Sequence, residues 1–360
     1  MQNKIKNIII SIGFIAIIFI AFIANIIDKD KEISISERRK LAQFPTITVS
    51  EILNGKVMDK WEKYVEDQFI AREMFRGIKS LWSTKIFAQK DNNKLFEKEN
   101  AIYKMEYPLN ENNAQKSAQK INEVYQKYLK NMNVYYSIIP EKNYYLENDD
   151  HLKLDYDKLQ EIMQQNLKEL QYIDIRNGLE LDDYYRTDLH WKQENLGDVV
   201  KILQENMKLD KTNTSYEVQN KGEFYGTYYG QLSTNVTPDN ICILTNETIN
   251  NCITYNFETK KKSSIYVTTN SADKYDIFLS GATPLISIEN PNATIDKELL
   301  LFRDSFGSSL APLLVENYKK IILIDLRYIS SSILENFIDF DKQDVLFLYS
   351  SVVLNQNIFK

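Results

Sequence analysis

The chain has 360 residues, of which 43% are hydrophobic and 26% are charged, and this balance is typical of a folded protein rather than a disordered one. Its net charge of −6 and pI near 5.3 argue against nucleic-acid binding, because no basic surface is available to neutralise phosphates. The length is enough for one large domain or two modest ones.

The amino terminus predicts a membrane anchor. A short tail, residues 1–7, is followed by an uncharged apolar run at residues 8–27, which as a helix would span about 30 Å, the thickness of a bilayer's hydrocarbon core. Lys4 and Lys6 precede the run, so the tail is expected in the cytoplasm and the carboxyl-terminal domain in the extracellular or periplasmic space. A cleaved secretory signal is the alternative, but no Ala-x-Ala site closes the run, and an uncleaved single-pass anchor is favoured.

Residues 28–110 are predicted to form a charged exit from the membrane and a helical lead-in. Apolar residues in this stretch recur at spacings of three and four, which predicts a helical region with one apolar face. They are Trp61, Tyr64, Val65, Phe69, Met74, Phe75, Ile78, Leu81 and Trp82. Such a face usually belongs to a core, so we expect it to dock on the main domain or to order the lead-in, and a partner-helix role is less favoured.

Residues 111–360 alternate between helical and strand patterns. Strands are predicted at 133–139, 172–175, 299–302, 320–325 and 345–349, and helices at 118–130, 156–170, 191–207, from about 308, and at 330–340. Apolar strands separated by helices imply an α/β fold with a mostly parallel sheet flanked by helices. Between about 210 and 290 the helical period disappears, and short alternating runs predict a β-rich insertion.

The chain has two cysteines, Cys242 and Cys252, whose spacing matches no zinc pattern. A hairpin closed by a disulfide outside the cell and a pair of free thiols fit this spacing equally well. The sequence leaves the choice open.

Two distant stretches supply the residue types of a Ser–His–Asp triad. Ser305 follows a predicted strand, at the carboxyl edge where parallel sheets collect ligand groups and where helix N–H groups favour a developing oxyanion. His190 comes two residues after Asp188, and the two side chains share a face only if they lie before the helix that follows. The second histidine, His151, lies among polar residues and is expected to be solvated.

Both stretches also have a simpler structural interpretation. Asp304 or Ser305 would serve as the N-cap of the next helix, since both residue types are good caps. His190 would be a structural histidine packed by Trp191, with Thr187 or Asp188 as the N-cap of the helix. On local grounds these interpretations and the triad stay open.

A wider set of matches connects these stretches. Thr187-Asp188-Leu189-His190-Trp191 and Asp304-Ser305-Phe306 are accompanied, in order, by Glu37-Arg38-Arg39-Lys40-Leu41 with Phe44-Pro45, Asp67-Gln68-Phe69 to Arg72, Pro140-Glu141-Lys142, Phe224-Tyr225-Gly226-Thr227 and Asp325-Leu326-Arg327-Tyr328. In these residues the chain resembles the DHHW family, and it is similar to the wider AlgJ/AlgX group of SGNH-hydrolase-like polysaccharide O-acetyltransferases. The matches run from residue 37 almost to the carboxyl terminus.

The resemblance implies an SGNH-like fold and an O-acyltransferase that acetylates a cell-surface polysaccharide through an acyl-serine intermediate. Ser305 would be the nucleophile, His190 the base and Asp188 its orienting acid. The resemblance implies no cofactor and no metal, and it implies a multi-span membrane acyltransferase as the acyl donor. The chain departs from the family pattern at Leu189, which replaces the first histidine of the name-giving motif, and at Arg303, which replaces the glycine of a Gly-Asp-Ser block.

The group that would stabilise the oxyanion is less defined. The Ser305 backbone N–H is one candidate. Lys142, Arg327 and Arg303 are further candidates for holding the oxyanion or the substrate, and a surface cation or a structural ion pair is the alternative for each. Two other functions remain open: an SGNH-type acetylesterase, and a non-catalytic envelope scaffold or carbohydrate-binding protein with a degenerate triad.

Overall fold

The structure, a computed structural model, divides the chain into two compact units. The N-terminal unit comprises Met1–Asn93 and Tyr229–Asn235, and the sheet unit comprises Lys94–Tyr228 and Val236–Lys360. The described residues are 2–34, 36–37, 39–147, 150–211, 214–234, 236–268, 271 and 273–360. Arg38, which contributes to the family resemblance, and Asn148 and Asp149, which precede His151, lie outside them.

The first helix, α1, spans Gln2–Ile27. Over Lys4–Ile27 its mean hydropathy reaches 2.8 and its most apolar part is not buried, so this helix is long and apolar enough to cross a membrane. The predicted helix is therefore confirmed in its length and apolar character. The side of the membrane on which the rest of the chain lies stays a prediction.

Short elements follow α1 in the N-terminal unit. They are the antiparallel strands β1 (Ile33–Ser34) and β2 (Arg39–Lys40), the helices α2 (Val49–Leu53), α3 (Lys56–Gln68) and α4 (Arg72–Leu81), and a π-helical turn at Trp82–Ile86. Thr48 begins α2 with a capping box, because its side chain accepts from the Glu51 amide while the Glu51 carboxylate accepts from the Thr48 amide.

Seven of the nine residues of the predicted apolar face of the lead-in are exposed, and Tyr64 and Phe69 are half-buried. Phe75 is 51% exposed, Trp82 is 48% exposed and Trp61 is 39% exposed. Most of this face thus lies outside a core, and its docking on the main domain stays a prediction. The polar side of the lead-in is the packed side, where Arg39 donates from Nη1 and Nη2 to the two carboxylate oxygens of Asp67 at 2.8 and 2.5 Å.

The sheet unit has more regular structure. Along the described chain its strands are β3 (Leu95–Lys98), β4 (Ala101–Lys104), β5 (Val134–Ile139), β6 (Gln171–Tyr172), β7 (Glu217–Phe224), β8 (Asp239–Thr245), β9 (Ile253–Asn256), β10 (Lys261–Ser263), β11 (Leu285–Glu289), β12 (Glu298–Arg303), β13 (Lys320–Ile324) and β14 (Asp344–Ser350). The helices that follow α4 are α5 (Glu111–Val124), α6 (Tyr156–Asn166), α7 (Gly197–Asn206), α8 (Thr227–Leu232), α9 (Glu247–Asn251), α10 (Phe306–Leu310) and α11 (Ser351–Gln356).

Eight of these strands form one sheet in the order β10-β9-β11-β13-β12-β14-β5-β6. The pairs from β13 to β6 are parallel, and the pairs from β10 to β13 are antiparallel. The predicted α/β class with a mostly parallel sheet is confirmed. The β-rich stretch predicted at about 210–290 divides in two, because β9 to β11 extend this sheet while β7 and β8 form a separate antiparallel pair.

Alternation along the central strands builds a core on each face of the sheet. In β12, Leu299 and Leu301 join one buried cluster, while Leu300 and Phe302 join the other. The first cluster also contains residues of α7 and α10, and the second contains residues of α5, α6 and α11. Helices therefore cover both faces, as expected for a parallel sheet whose strands are apolar throughout.

The carboxylate of Asp67 makes the N-terminal unit sensitive to acid. Hydrogen bonds from Arg39 and from the Ala42 amide lower the pKa of Asp67 from 3.8 to about 2. Since the folded pKa lies below the unfolded one, this carboxylate stabilises the fold above pH 4 and stops doing so as the pH falls through 2. We predict that Asp67→Asn lowers the free energy of unfolding at pH 7 by about 1.5–3 kcal/mol and that the difference from wild type disappears near pH 2.

Thermal unfolding of the full chain in detergent at pH 7, 4 and 2 measures this effect. Asp59→Asn is the matched control, because Asp59 is an exposed residue of the same helix. Equal losses of stability in the two variants would contradict the role given to the Arg39–Asp67 contact.

Candidate active site

Ser305 lies at the carboxyl end of a central strand. It follows β12, which is paired on both sides, and it immediately precedes α10. The Asp304 carboxylate accepts from the Phe306 amide at 3.1 Å and from the Ser350 amide at 2.8 Å, whereas the Ser305 side chain makes no capping bond. Asp304 thus satisfies the backbone at this turn and leaves the Ser305 hydroxyl available for another partner.

That partner is His190. The distance from His190 Nε2 to Ser305 Oγ is 2.8 Å, and the distance from His190 Nδ1 to Asp188 Oδ1 is 2.6 Å. Ser305 is partly exposed, while His190 is 6% exposed and Asp188 is fully buried. The structure therefore brings together the three predicted triad residues in the order nucleophile, base and orienting acid.

The segment before α7 has the irregular backbone that the pair requires. Tyr184 and Trp191 form an antiparallel bridge, and the Tyr185 amide donates to the His190 carbonyl at 3.0 Å. The helix predicted from residue 191 begins only at Gly197, because residues 191 and 192 are held to this bridge. Asp188 does not cap that helix, and it accepts from the His190 amide at 3.1 Å in a local turn.

The second oxygen of Asp188 is held by a different part of the chain. Asp188 Oδ2 accepts from the Thr227 amide at 2.6 Å. Gly226 makes this approach possible, since a Cβ at that position would lie 2.3 Å from the Asp188 Cβ and 2.3 Å from the Thr187 carbonyl oxygen. This contact gives the Phe224-Tyr225-Gly226-Thr227 motif a physical role, which is to fix the carboxylate that orients His190.

A second buried carboxylate, Asp239, supports the same loop. It accepts from the amides of Arg186 and Thr187 at 2.9 and 2.8 Å and from the Thr187 hydroxyl at 2.5 Å. Sequence reasoning missed Asp239, because nothing local marks an aspartate more than fifty residues along the chain as a partner of this loop.

The imidazole of His190 is enclosed by aromatic rings. Tyr275 stacks on it with ring centroids 3.9 Å apart, and Phe306 lies at 4.8 Å. The Tyr275 hydroxyl and the Trp191 indole N–H both donate hydrogen bonds to Ser309 Oγ at 2.8 Å. The ring is therefore fixed by packing as well as by hydrogen bonds, and the sequence had no signal for Tyr275.

Lys142 supports the loop that carries the triad. Its ammonium donates to the carbonyls of Tyr185, Arg186 and Asp188 at 2.8, 3.1 and 2.8 Å. An ammonium has three N–H groups, so these contacts leave none for a substrate oxygen. Burial lowers the pKa of the Lys142 amine to about 8, and the adjacent Glu141 opposes this shift. The structure thus gives Lys142 a positioning role in place of the predicted contact with oxyanion or substrate.

The other two cation candidates, Arg327 and Arg303, both lie near the carboxylate of Asp325. Arg327 donates to both carboxylate oxygens of Asp325, at 2.9 and 2.7 Å. Arg303 is fully buried, and its guanidinium lies 3.7 Å from Asp325 and 3.5 Å from the Thr283 hydroxyl. Burial lowers the pKa of Arg303. Both arginines thus have the structural ion pairs that were the alternative interpretation, and a substrate role for them stays a prediction.

The structure also bears on two predictions outside the triad, the environment of His151 and the state of the two cysteines. His151 is not simply solvated, since it is half-buried and stacks on Phe96 with ring centroids 3.5 Å apart. Cys242 and Cys252 are both free thiols. Burial raises the pKa of Cys252 to about 12, which leaves its thiol protonated and unreactive.

Comparisons with known proteins agree with this fold. The family model described as DHHW protein matches residues 156–324. A DHHW family protein from Eubacterium siraeum is similar in structure, with a TM-score of 0.61 and 21% identity over 74% of this chain and 95% of that chain. Bacillus cereus PatB1 with a sulfonyl adduct has a TM-score of 0.60 and 18% identity over 74% of this chain and 97% of that chain.

A more distant match is the O-acetyltransferase domain of Pseudomonas putida AlgJ, with a TM-score of 0.46 and 10% identity over 73% of this chain and 93% of that chain. No curated protein sequence matches the chain. At the identities of the Eubacterium siraeum protein and PatB1, structural similarity establishes the fold alone. Together with the family match, it confirms the predicted resemblance to the DHHW family.

The three carbonyls bound by Lys142 predict a large effect of removing its charge. In Lys142→Met the buried carbonyls of Tyr185 and Asp188 lose their donor, whereas the Arg186 carbonyl still accepts from the Ile102 amide at 2.8 Å. Each unsatisfied group costs about 1–3 kcal/mol, so we predict that the variant loses at least about 2 kcal/mol of unfolding free energy. Chemical denaturation of the full chain in detergent measures it. Lys192→Met is the matched control, because Lys192 donates to one carbonyl at an exposed position. A stable Lys142→Met protein would contradict this role.

The close approach at Gly226 gives a second prediction. In Gly226→Ala the added Cβ pushes both Asp188 and the Thr187 carbonyl away from residue 226. We therefore predict a loss of about 1–3 kcal/mol of unfolding free energy. We also predict reduced reaction of Ser305 with a fluorophosphonate probe. Gly197→Ala is the control, since nothing lies within 4 Å of its added Cβ. If both variants react with the probe like wild type, the contact does not position the triad.

Proposed function

We propose that this chain, whose residues 156–324 match the DHHW family model, is an extracytoplasmic O-acyltransferase that acetylates a cell-surface polysaccharide through an acyl-Ser305 intermediate. The observation that carries this proposal is the continuous contact from Ser305 Oγ through the His190 ring to Asp188, with distances of 2.8 and 2.6 Å. A serine used only as a cap would not need this alignment.

In the first half-reaction, His190 Nε2 takes the proton of Ser305 Oγ while that oxygen attacks the carbonyl carbon of the donor's acyl group. The bond from the acyl carbon to its leaving group then breaks, and the imidazolium returns the proton to that group. Asp188 accepts from His190 Nδ1–H throughout, which keeps Nε2 free to act as the base.

In the second half-reaction, a sugar hydroxyl occupies the place of the departed group. His190 removes its proton, the alkoxide oxygen attacks the acyl-Ser305 ester, and the Ser305 oxygen leaves with the proton that His190 returns. The products are the O-acetylated sugar and free Ser305. With water in place of the sugar hydroxyl, the same steps hydrolyse the donor, and this is the esterase alternative.

The acyl donor and the location of the reaction form a second part of the proposal. The family resemblance supports a multi-span membrane acyltransferase that delivers the acyl group and a polysaccharide that accepts it outside the cytoplasmic membrane. The apolar helix α1 supports attachment to that membrane as a single-pass anchor. The two lysines at its amino-terminal end support an extracellular or periplasmic sheet unit.

A non-catalytic scaffold would be favoured if Arg303, which stands in the place of a glycine, distorted the turn that carries Ser305. The Arg303 side chain is buried toward Thr283 and Asp325, and the contact between Ser305 and His190 is made with Arg303 in place. The similar fold of PatB1 has been observed with a sulfonyl adduct. Sulfonylating groups react with nucleophilic side chains, which supports a nucleophile in this fold.

The proposal predicts that Ser305→Ala abolishes O-acetylation. Mild alkaline release of acetate from the purified cell-surface polysaccharide measures it in a strain that carries only this variant. We expect the acetate to fall to the level of a deletion strain. Ser308→Ala is the control, because Ser308 is a buried serine of α10, the helix that Ser305 precedes, and this change should leave acetylation unchanged. Normal acetylation in the Ser305→Ala strain would contradict the proposal.

An assay with the purified protein distinguishes acyl transfer from hydrolysis. With an activated acetyl ester as donor, an acyltransferase releases acetate slowly and labels an added oligosaccharide, whereas an esterase releases acetate at full rate without it. Absence of both reactions, together with no fluorophosphonate labelling of Ser305, would support a non-catalytic protein.

A further inference from the structure

Helix α4 presents its apolar side to solvent. Five apolar residues at positions i, i+1, i+4, i+7 and i+8 lie on one side of α4 and its first following residue. They are Met74 (56% exposed), Phe75 (51%), Ile78 (42%), Leu81 (54%) and Trp82 (48%), which together are called the α4 apolar face. A contiguous exposed patch of this kind marks an interaction surface.

The opposite side of α4 is polar and packed. Arg72 Nη2 lies 2.7 Å from the Glu37 carboxylate, and Arg76 donates to the Gly230 carbonyl at 2.7 Å. Ser80 on the same side is buried. A helix on the surface of a soluble protein has the reverse arrangement. The exposed apolar side of α4 therefore requires an apolar environment that the described residues of the N-terminal unit do not supply.

The start of α4 is tied to the end of the apolar helix α1. The Ile70 amide donates to Asn25 Oδ1 at 2.7 Å, and Asn25 Nδ2 donates to the Ala21 carbonyl at 2.8 Å. Asn25 lies two residues before the end of α1 at Ile27, which corresponds to about 3 Å along the helix axis. The chain just before Arg72, the first residue of α4, is thus held beside the last turn of α1.

The end of α3 is tied to the same place. Gln68 exchanges two hydrogen bonds with the backbone of Lys31, each of 2.9 Å, and the Tyr64 hydroxyl donates to Asp30 at 3.0 Å. Lys31 is only four residues beyond Ile27. The turn between α3 and α4 is therefore fixed at the level where α1 meets water.

We propose that the α4 apolar face lies in the outer-leaflet interface of the same bilayer that α1 crosses. The inference goes beyond the proposed chemistry and rests on the proposed spanning role of α1. Lipid is favoured over a groove in a partner protein because the contacts through Asn25 and Gln68 set the position of α4 relative to the bilayer. An apolar face that includes tryptophan, opposite a charged face, is the composition of helices that lie in this interface.

The three tryptophans of the chain supply a test without a foreign label. Trp82 is part of the α4 apolar face, and Trp191 is fully buried in the sheet unit, so Trp191 serves as an internal reference. The full chain with Trp61→Phe is reconstituted in phosphatidylcholine/phosphatidylglycerol vesicles, with or without phosphatidylcholine brominated on its acyl chains. Its emission is compared with that of Trp61→Phe/Trp82→Phe, and the difference is the signal of Trp82.

We expect the Trp82 signal to lose most of its intensity in brominated vesicles and to resist quenching by acrylamide, while the Trp191 signal changes little. Adding Ile78→Asp on the apolar face should restore Trp82 emission in brominated vesicles. Lys79→Asp, at the neighbouring exposed position, should leave the quenching as it was.

Two results would overturn the proposal. If the chain floats with the vesicles but Trp82 is quenched by acrylamide and not by brominated lipid, α1 spans while the α4 apolar face is left for a protein partner. If the chain does not float with the vesicles, the spanning premise fails and the inference fails with it. Neither result bears on the Ser305 chemistry, which the acetylation measurement tests separately.

Discussion

The carboxylate of Asp188 is the group on which the candidate site depends. One oxygen accepts from the ring and the backbone amide of His190, and the other accepts from the Thr227 amide. These contacts join an irregular loop to a distant segment and set the rotation of the imidazole toward Ser305. A fully buried carboxylate is tolerated only when its oxygens are bonded, and here each oxygen has a partner.

The loop that carries Asp188 is itself a buried irregular segment, and this has a cost. Backbone groups that belong to no helix or sheet still need partners when water is excluded. The Lys142 ammonium supplies donors to three carbonyls, and the Asp239 carboxylate supplies acceptors to two amides. Lys142 and Asp239 therefore stabilise the backbone geometry of this loop, and their charge alone does not indicate a contact with substrate.

The N-terminal unit exposes apolar side chains that a soluble protein would bury. Its longest helix is apolar and exposed, and α4 packs its charged side inward while its apolar side is exposed. Both features are unfavourable in water and favourable at a bilayer, where apolar side chains leave water without needing a protein core. A single physical cause, the neighbouring lipid, would thus account for two arrangements that contradict the usual pattern of a soluble protein.

Several features were predictable because they depend on local pattern. The apolar run of α1 and the apolar strands β5, β12, β13 and β14 follow from composition, and the parallel arrangement follows from the helices between the strands. Ser305 at a strand end and Asp188 two residues before His190 were visible for the same reason. The apolar period of α3 and α4 was equally visible, but period alone does not say whether the apolar side faces a core or another solvent.

Contacts between distant residues were decided by the tertiary structure. The sequence by itself determined which side chains have triad chemistry, while only the fold brought Ser305 within 2.8 Å of a histidine that lies 115 residues away. Tyr275 against the His190 ring, Asp239 beneath the loop and the inward side chain of Arg303 have no local signature. Hydrogen bonds and ring contacts act over a few ångströms in space, and a residue's position along the chain does not encode that distance.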